Sequence, residues 1–346
     1  LIATKANRIV RAAGDAQVME FGARRAQGAD AAIYGARACY IGGVGATATT
    51  IAEEMFGVKA VGTMAHSFIQ FYEDEYEAFK AYAEVYPDSC TLLIDTYNVL
   101  ESGVKNAIRV AKEVLEPNGH RLKGVRIDSG DITYISKKAR KMLDDAGYPD
   151  CKICVSNSLD EYLIRDMIFQ GAKVDSFGVG ERLITASSEA VFGGVYKLSA
   201  VEKDGEIIPK IKISENTAKV TLPGVKIPWR LYDRETGKAI ADVITLGDEK
   251  IDSTEPYEIF DPVYTWKRKV VTNFVARKLQ VKVFEKGKLV YECPTVKEIS
   301  KHRAEQVSAL WDEVTRFENP HTYYVDLSDK LWNLRHDLLN KLRIKE

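Results

Sequence analysis

Short apolar runs alternate with stretches of helical spacing through the first half of the chain. Residues 18–22, 60–63, 91–95, 124–128, 153–156 and 176–179 read as strands, and 76–86, 106–116, 134–146 and 159–171 as amphipathic helices between them. The runs are apolar on both faces, which predicts a parallel sheet covered by helices rather than an antiparallel sheet with one wet side. About six β/α units are visible where a complete barrel has about eight, so the pattern predicts a TIM-like α/β barrel that is either irregular or partly supplied by segments without a visible β/α pattern.

After about Gly193 the period changes. Residues 196–201, 207–213, 227–232, 240–246 and 279–284 alternate apolar and polar positions, with Lys203-Asp204-Gly205, Glu235-Thr236-Gly237 and Lys286-Gly287 as turns beside them. From Val296 on, Ile299, Val307, Leu310 and Trp311, then Leu331, Leu334, Leu338 and Leu342, recur at helical spacing. The expected organisation is a barrel carrying the active site over 1–192, a second, β-rich domain over 193–295 and C-terminal helices over 296–346. No internal repeat or low-complexity tract interrupts it.

Composition narrows the function classes. A formal net charge of −1 over 346 residues offers no bulk basic surface for nucleic acid or membrane. No apolar run approaches the ~18 residues of a membrane span, and no signal peptide is visible. The five cysteines are scattered as in a reducing compartment, which points to a cytoplasmic protein. The chain opens at Leu1 rather than Met, so a preceding segment is expected.

In a β/α chain the carboxyl ends of the strands converge on one face, and polar residues there are aimed at a ligand. Two such ends stand out: Gly62-Thr63-Met64-Ala65-His66-Ser67 and Val125-Arg126-Ile127-Asp128-Ser129-Gly130-Asp131. His66 lies between a strand end and a helix start, where an imidazole serves either as a nucleophile or proton carrier beside a bound anion, or simply as a cap. The other histidines read as surface residues. Strand alternation points Arg126 and Asp128 to the same side, toward an anion and a hydroxylated ring, while Ser129, Gly130 and Asp131 make a tight turn in which Asp131 is also a natural helix cap. Phe21-Gly22-Ala23-Arg24-Arg25 sets an aromatic and two guanidiniums at another strand end, suited to stacking and to carboxylate or phosphate recognition. Gly42-Gly43-Val44-Gly45 and Phe177-Gly178-Val179-Gly180 are loops that would let backbone N–H groups approach phosphate, without a Rossmann or Walker fingerprint. Cys151-Lys152-Ile153-Cys154 has redox or zinc spacing but no second ligand pair, so no protein-held metal site is expected.

These segments, with Tyr40-Ile41-Gly42-Gly43 and Ser156-Asn157, stand in the order and spacing of nicotinate phosphoribosyltransferase, which the chain resembles from about Met19 to the C-terminal helices. The resemblance implies a homodimer that joins nicotinate to phosphoribosyl pyrophosphate with coupled ATP hydrolysis, with magnesium on the phosphates. It implies that His66 is phosphorylated by ATP, that Phe21 stacks on the pyridine ring, and that Arg24 and Arg126 lie near the nicotinate and phosphoribosyl groups. Asp128, Ser129 and Gly130 would face the ribose, and Gly178, Val179 and Gly180 would hold the 5′-phosphate with Ser156 and Asn157 beside them. His66 and Asp128 are the expected catalytic pair. Many members have Thr-Ser-Asn where this chain has Thr47-Ala48-Thr49, and the related nicotinamide enzyme carries an aspartate in that loop, whereas residues 42–52 here hold no carboxylate until Glu53 follows. That favours the acid over the amide. The resemblance also implies a preceding region that closes the pyridine ring opposite Phe21, without which the chain would bind phosphoribosyl pyrophosphate weakly. The alternatives are a nicotinamide or quinolinate phosphoribosyltransferase, a metal-dependent barrel hydrolase, and a catalytically incomplete ligand-binding fragment.

Overall fold

The computed structural model describes residues 1–215 and 219–342; residues 216–218 and 343–346, inside the β-rich and C-terminal segments drawn above, lie outside the described residues. The chain divides into two compact units, Leu1–Phe192 with Pro294–Arg303, and Gly193–Cys293 with the segment from Ala304 onward.

The first unit is built on a six-stranded sheet: β1 (Gln17–Glu20), β2 (Ala46–Thr47), β3 (Thr91–Leu93), β4 (Gly124–Ile127), β5 (Lys152–Ser156) and β6 (Ser176–Val179). The spatial order is β2-β1-β6-β5-β4-β3 and every pairing is parallel. Strands therefore follow one another in chain order around the sheet, with β6 paired to β1, which is the closing contact of a barrel. The seam falls between β2 and β3. Residues 60–63, expected as a full strand, contribute there a single parallel bridge from Ala60 to Thr47. Ile153, Cys154 and Val155 are buried in succession, as are Phe177, Gly178 and Val179, because helices cover the outer face while side chains fill the inner one.

The covering helices are α1 (Ile2–Ala13), α2 (Ala29–Gly42), α3 (Ile51–Phe56), α4 (His66–Phe71), α5 (Glu75–Val85), α6 (Val104–Val110), α7 (Ile132–Asp145), α8 (Glu161–Phe169) and α9 (Glu181–Ile184). Three of them start on an aspartate that accepts a backbone N–H of the first turn: Asp74 from Glu77 at 2.9 Å, Asp131 from Tyr134 at 3.0 Å and Asp160 from Leu163 at 2.9 Å. These caps set where the chain leaves β4 and β5, and so where the residues between strand and helix are presented. A further helix, α10 (Val296–Ser308), supplies Ser300 and Arg303 to the end of α2, with Ser300 Oγ donating to the Tyr40 carbonyl at 3.1 Å and Arg303 Nε to that of Ile41 at 2.9 Å.

The second unit is β-rich. Strands Phe274–Lys278, Lys226–Asp233 and Ala239–Leu246 pair antiparallel, and Val325–Leu327 adds a parallel edge. Trp229, Leu231, Ala241, Val243, Ile259 and Phe274 form its core. The strand expected over 279–284 lies upstream at Phe274–Lys278, and Val325–Leu327 interrupts the segment expected to be helical because three residues are too few to carry a period. Among the described residues no helix is long and apolar enough to cross a membrane.

One buried ion pair joins the start of the chain to the barrel. Glu161, in the first turn of α8, meets Lys5 at 2.8 Å and Arg8 at 2.9 Å on α1. Burial raises the Glu161 carboxyl, and the two cations more than offset it, so its pKa lies below the ordinary glutamate value. Glu161→Gln strands a buried ammonium and is expected to cost about 3 kcal/mol in chemical denaturation at neutral pH. A folded-state pKa below the unfolded one gives stability that is present above the unfolded value and lost as pH falls through the folded one. The difference between wild type and variant should therefore shrink below about pH 4. A pH-independent difference, or one under about 1 kcal/mol, would show that the charge is immaterial.

Candidate active site

The carboxyl ends of β1, β4, β5 and β6 open into one cavity of about 150 Å³, lined by Phe21, Arg24, Arg25, Arg126, Asp128, Ser156, Asn157, Ser158, Gly178, Gly180 and Glu181. Parallel pairing produces this convergence. Arg126 sits opposite Cys154, and Ser156 opposite Gly178, so residues far apart in sequence reach the same rim.

At the centre stands Arg126. Its Nε donates to Ser156 Oγ at 3.0 Å, Nη1 to Thr63 Oγ1 at 2.9 Å and Nη2 to Asp128 Oδ1 at 3.3 Å, while the guanidinium lies 5.3 Å from the centre of the Phe21 ring. Ser156 Oγ also donates to Asp128 Oδ1. The alternation read from the sequence is visible directly, since Arg126 and Asp128 project to the same side of β4 and touch. The Phe21 ring packs against Gly178 of β6: a Cβ there would lie 2.4 Å from the ring, so only glycine lets the aromatic lie there.

His66 opens α4, and Ala65, not the imidazole, holds the cap position without a side-chain bond. The ring is partly exposed. Its Nδ1 is 3.1 Å from Thr96 Oγ1, and its Nε2 looks onto two carboxylates, Asp128 Oδ2 at 3.7 Å and Asp95 Oδ1 at 3.8 Å. Asp95 is the residue that sequence reasoning missed. Its side chain is 1% exposed, its Oδ2 accepts the Asp128 backbone N–H at 2.9 Å and the Ser129 hydroxyl at 2.6 Å, and its buried Oδ1 finds no hydrogen-bond partner among the described residues. The only signal was its position at the end of the predicted strand 91–95.

The remaining expected residues divide. Ser129 spends its hydroxyl on Asp95, and Gly130 is exposed in the left-handed region of the turn before α7 (φ 84°). Asn157 is exposed on the rim with φ 100°. Val179 does not line the cavity: its side chain is fully buried, and its carbonyl accepts the Phe21 N–H at 2.8 Å. The Gly42–Gly45 loop is not a phosphate cradle either, since Gly43 is the left-handed residue that ends α2 and Arg303 lies against it. Cys151 and Cys154 are free and buried, and burial pushes the Cys151 thiol up to about 12. Asp131 caps α7. His120, read as a surface residue, meets the exposed Asp88 at 2.9 Å.

A barrel whose strand ends present an aromatic ring, arginines and hydrogen-bonded carboxylates around one cavity fits an enzyme that acts on a small molecule. The sequence profile of the nicotinate phosphoribosyltransferase (NAPRTase) family matches residues 16–244, and that of the nicotinate phosphoribosyltransferase C-terminal domain matches 225–335. The chain is 46% identical over 350 residues to nicotinate phosphoribosyltransferase of Bacillus subtilis, covering 100% of this chain and 70% of that protein. It is 34% identical over 400 residues to the Dictyostelium discoideum enzyme of the same name, covering 100% and 67%. The crystal structure of human nicotinic acid phosphoribosyltransferase superposes with a TM-score of 0.81 at 27% identity, over 99% of this chain and 74% of that one. The chain belongs to the nicotinate phosphoribosyltransferase family.

Proposed function

We propose that the chain forms nicotinate mononucleotide and pyrophosphate from nicotinate and phosphoribosyl pyrophosphate, in pyridine-nucleotide salvage, with ATP hydrolysis coupled through His66. The observation that carries the reading is the cavity in which Phe21, Arg126, Asp128, Ser156, Gly178 and Gly180 meet. In the reaction the pyridine nitrogen forms a bond to the anomeric carbon of the ribose, and the bond from that carbon to the pyrophosphate oxygen breaks, its electron pair leaving with pyrophosphate. The transition state gathers positive charge on the ribose and negative charge on the leaving group, so the enzyme needs anion clamps and a positioned ring more than it needs a strong base.

The residues present suit those roles. Phe21 offers a face to the pyridine ring, Arg24 and Arg126 offer cations to the carboxylate and phosphoribosyl groups, and Asp128 offers oxygens to the ribose hydroxyls. Among the described residues no group of three or more His, Cys, Asp or Glu is arranged to hold a metal. Magnesium would enter on the phosphates, as such ions commonly do with one or two protein carboxylates. Asp128 Oδ2, which neither Arg126 nor Ser156 engages, is the oxygen suited to meet it. For His66, a ring nitrogen attacks the γ-phosphorus of ATP and ADP departs, leaving phosphohistidine whose hydrolysis completes the coupling. Assembly as a homodimer and a cytoplasmic location complete the proposal.

The direct test is formation of nicotinate mononucleotide from the two substrates, with and without ATP. Substrate choice gives a sharper one. Arg24 supplies a cation at the cavity rim, and residues 42–52 bring no carboxylate against it. Nicotinate is expected to be preferred over nicotinamide by about a hundredfold in kcat/KM, roughly 3 kcal/mol, in side-by-side assays that also include quinolinate. Equal turnover of acid and amide would reject the reading.

A further inference from the structure

The segment Thr47-Ala48-Thr49, where the chain departs from the pattern it otherwise resembles, has no place in the chemistry above. None of its residues lines the cavity; Ala48 is exposed, and the two threonines turn inward. Thr47 is fully buried and Thr49 is 9% exposed, and both face Glu20, the last residue of β1, which is itself fully buried. Thr47 Oγ1 donates to Glu20 Oε2 at 2.5 Å and Thr49 Oγ1 reaches the same oxygen at 3.4 Å, while the Thr49 backbone N–H donates to Thr47 Oγ1 at 3.0 Å. The other carboxylate oxygen, Oε1, accepts the backbone N–H of Gly22. Among the described residues no ion pair to Glu20 is recorded, so neutral donors alone satisfy a carboxylate removed from water.

A buried carboxylate is costly unless its oxygens are hydrogen-bonded, and such a network holds its members in one arrangement. What this one holds is the turn that carries Phe21. The residue lies between Glu20, whose backbone carbonyl accepts the Ala48 N–H at 2.8 Å, and Gly22, whose N–H is bound by the Glu20 side chain; its own N–H is taken by the Val179 carbonyl at 2.8 Å. We propose that Glu20 is a positioning residue for the pyridine substrate: with Thr47 and Thr49 it fixes the backbone on both sides of Phe21, and so the height and tilt of the ring against which the substrate stacks. The proposal rests on the reading of Phe21 as the stacking residue.

The consequence is specific to one substrate. Loosening the cluster should spoil pyridine binding while leaving recognition of phosphoribosyl pyrophosphate, which depends on β4, β5 and β6, near its normal strength. In the intact enzyme, Thr47→Val removes the short hydroxyl donor without changing side-chain shape and is expected to raise KM for nicotinate about tenfold, with KM for phosphoribosyl pyrophosphate within about twofold of wild type. Glu20→Gln should shift the same constant in the same direction, and Thr47→Ser, which keeps the hydroxyl, should restore it. Phe21→Leu is measured alongside. If Phe21→Leu leaves KM for nicotinate unchanged, the stacking reading itself falls and this proposal falls with it. If Phe21→Leu raises that constant but Thr47→Val and Glu20→Gln do not, or if they raise both constants equally while only lowering Tm, Glu20 is a structural residue and the proposal is overturned.

Discussion

Asp128→Asn is expected to lower kcat/KM for nicotinate mononucleotide formation about a thousandfold, roughly 4 kcal/mol. The carboxylate works at two levels. Its Oδ1 receives hydrogen bonds from Ser156 and Arg126, which locks the guanidinium beside the Phe21 ring. Its Oδ2, engaged by neither, lies 3.7 Å from His66 Nε2, and on the proposed reading it would supply negative charge beside the cationic transition state, to ribose hydroxyls directly or through a magnesium ion on the phosphates. An amide of the same shape removes that charge, and one of its two ends presents N–H donors to groups that already donate. The fold should survive, because the backbone N–H of residue 128 remains bound to Asp95. Steady-state kinetics on the variant, with Tm measured alongside, check the expectation; a loss of less than tenfold at unchanged Tm would remove Asp128 from the chemistry.

His66→Ala should abolish both the phosphoprotein and the stimulation by ATP while part of the ATP-independent synthesis survives. The geometry separates the two functions. The imidazole stands outside the ring of residues that line the cavity and meets that ring at Asp128, whose Oδ2 lies 3.7 Å from its Nε2. Wild-type enzyme incubated with γ-labelled ATP should carry a phosphate that is labile in acid and stable in base, and the variant should carry none. Label persisting in His66→Ala would assign the phosphoryl group to another residue; synthesis falling to zero would mean that the histidine takes part in the glycosyl transfer itself.

Much of the first unit was legible because its strands are buried on both faces. Continuous apolar runs of four or five residues ending in polar clusters leave few alternatives, and 176–179 coincides with the strand Ser176–Val179. Expected edges at 124–128 and 153–156 differ by one residue from Gly124–Ile127 and Lys152–Ser156, the ordinary fraying of strand ends. The two-residue strand Ala46–Thr47 was invisible, being shorter than any period, and Ala60 contributes a single bridge because the strand it meets, β2, is itself only two residues long.

What the sequence determined by itself is therefore the local part of the site. Alternation along one strand places Arg126 and Asp128 on the same side, and the helix start at His66 leaves its ring partly exposed. Tertiary structure decided everything that depends on strands meeting. Asp95 reaches the Asp128 backbone from 33 residues away, Ser156 reaches the Asp128 side chain from 28, Thr63 reaches Arg126 from 63, and Thr47 reaches Glu20 from 27. Those partners follow from the parallel register of β1 to β6, and register is set by how whole faces pack, not by any residue's neighbours in the chain. Register also separates two glycines that look alike in the sequence: Gly178 opens space for Phe21 at the end of the neighbouring strand, whereas Gly43 closes a helix locally.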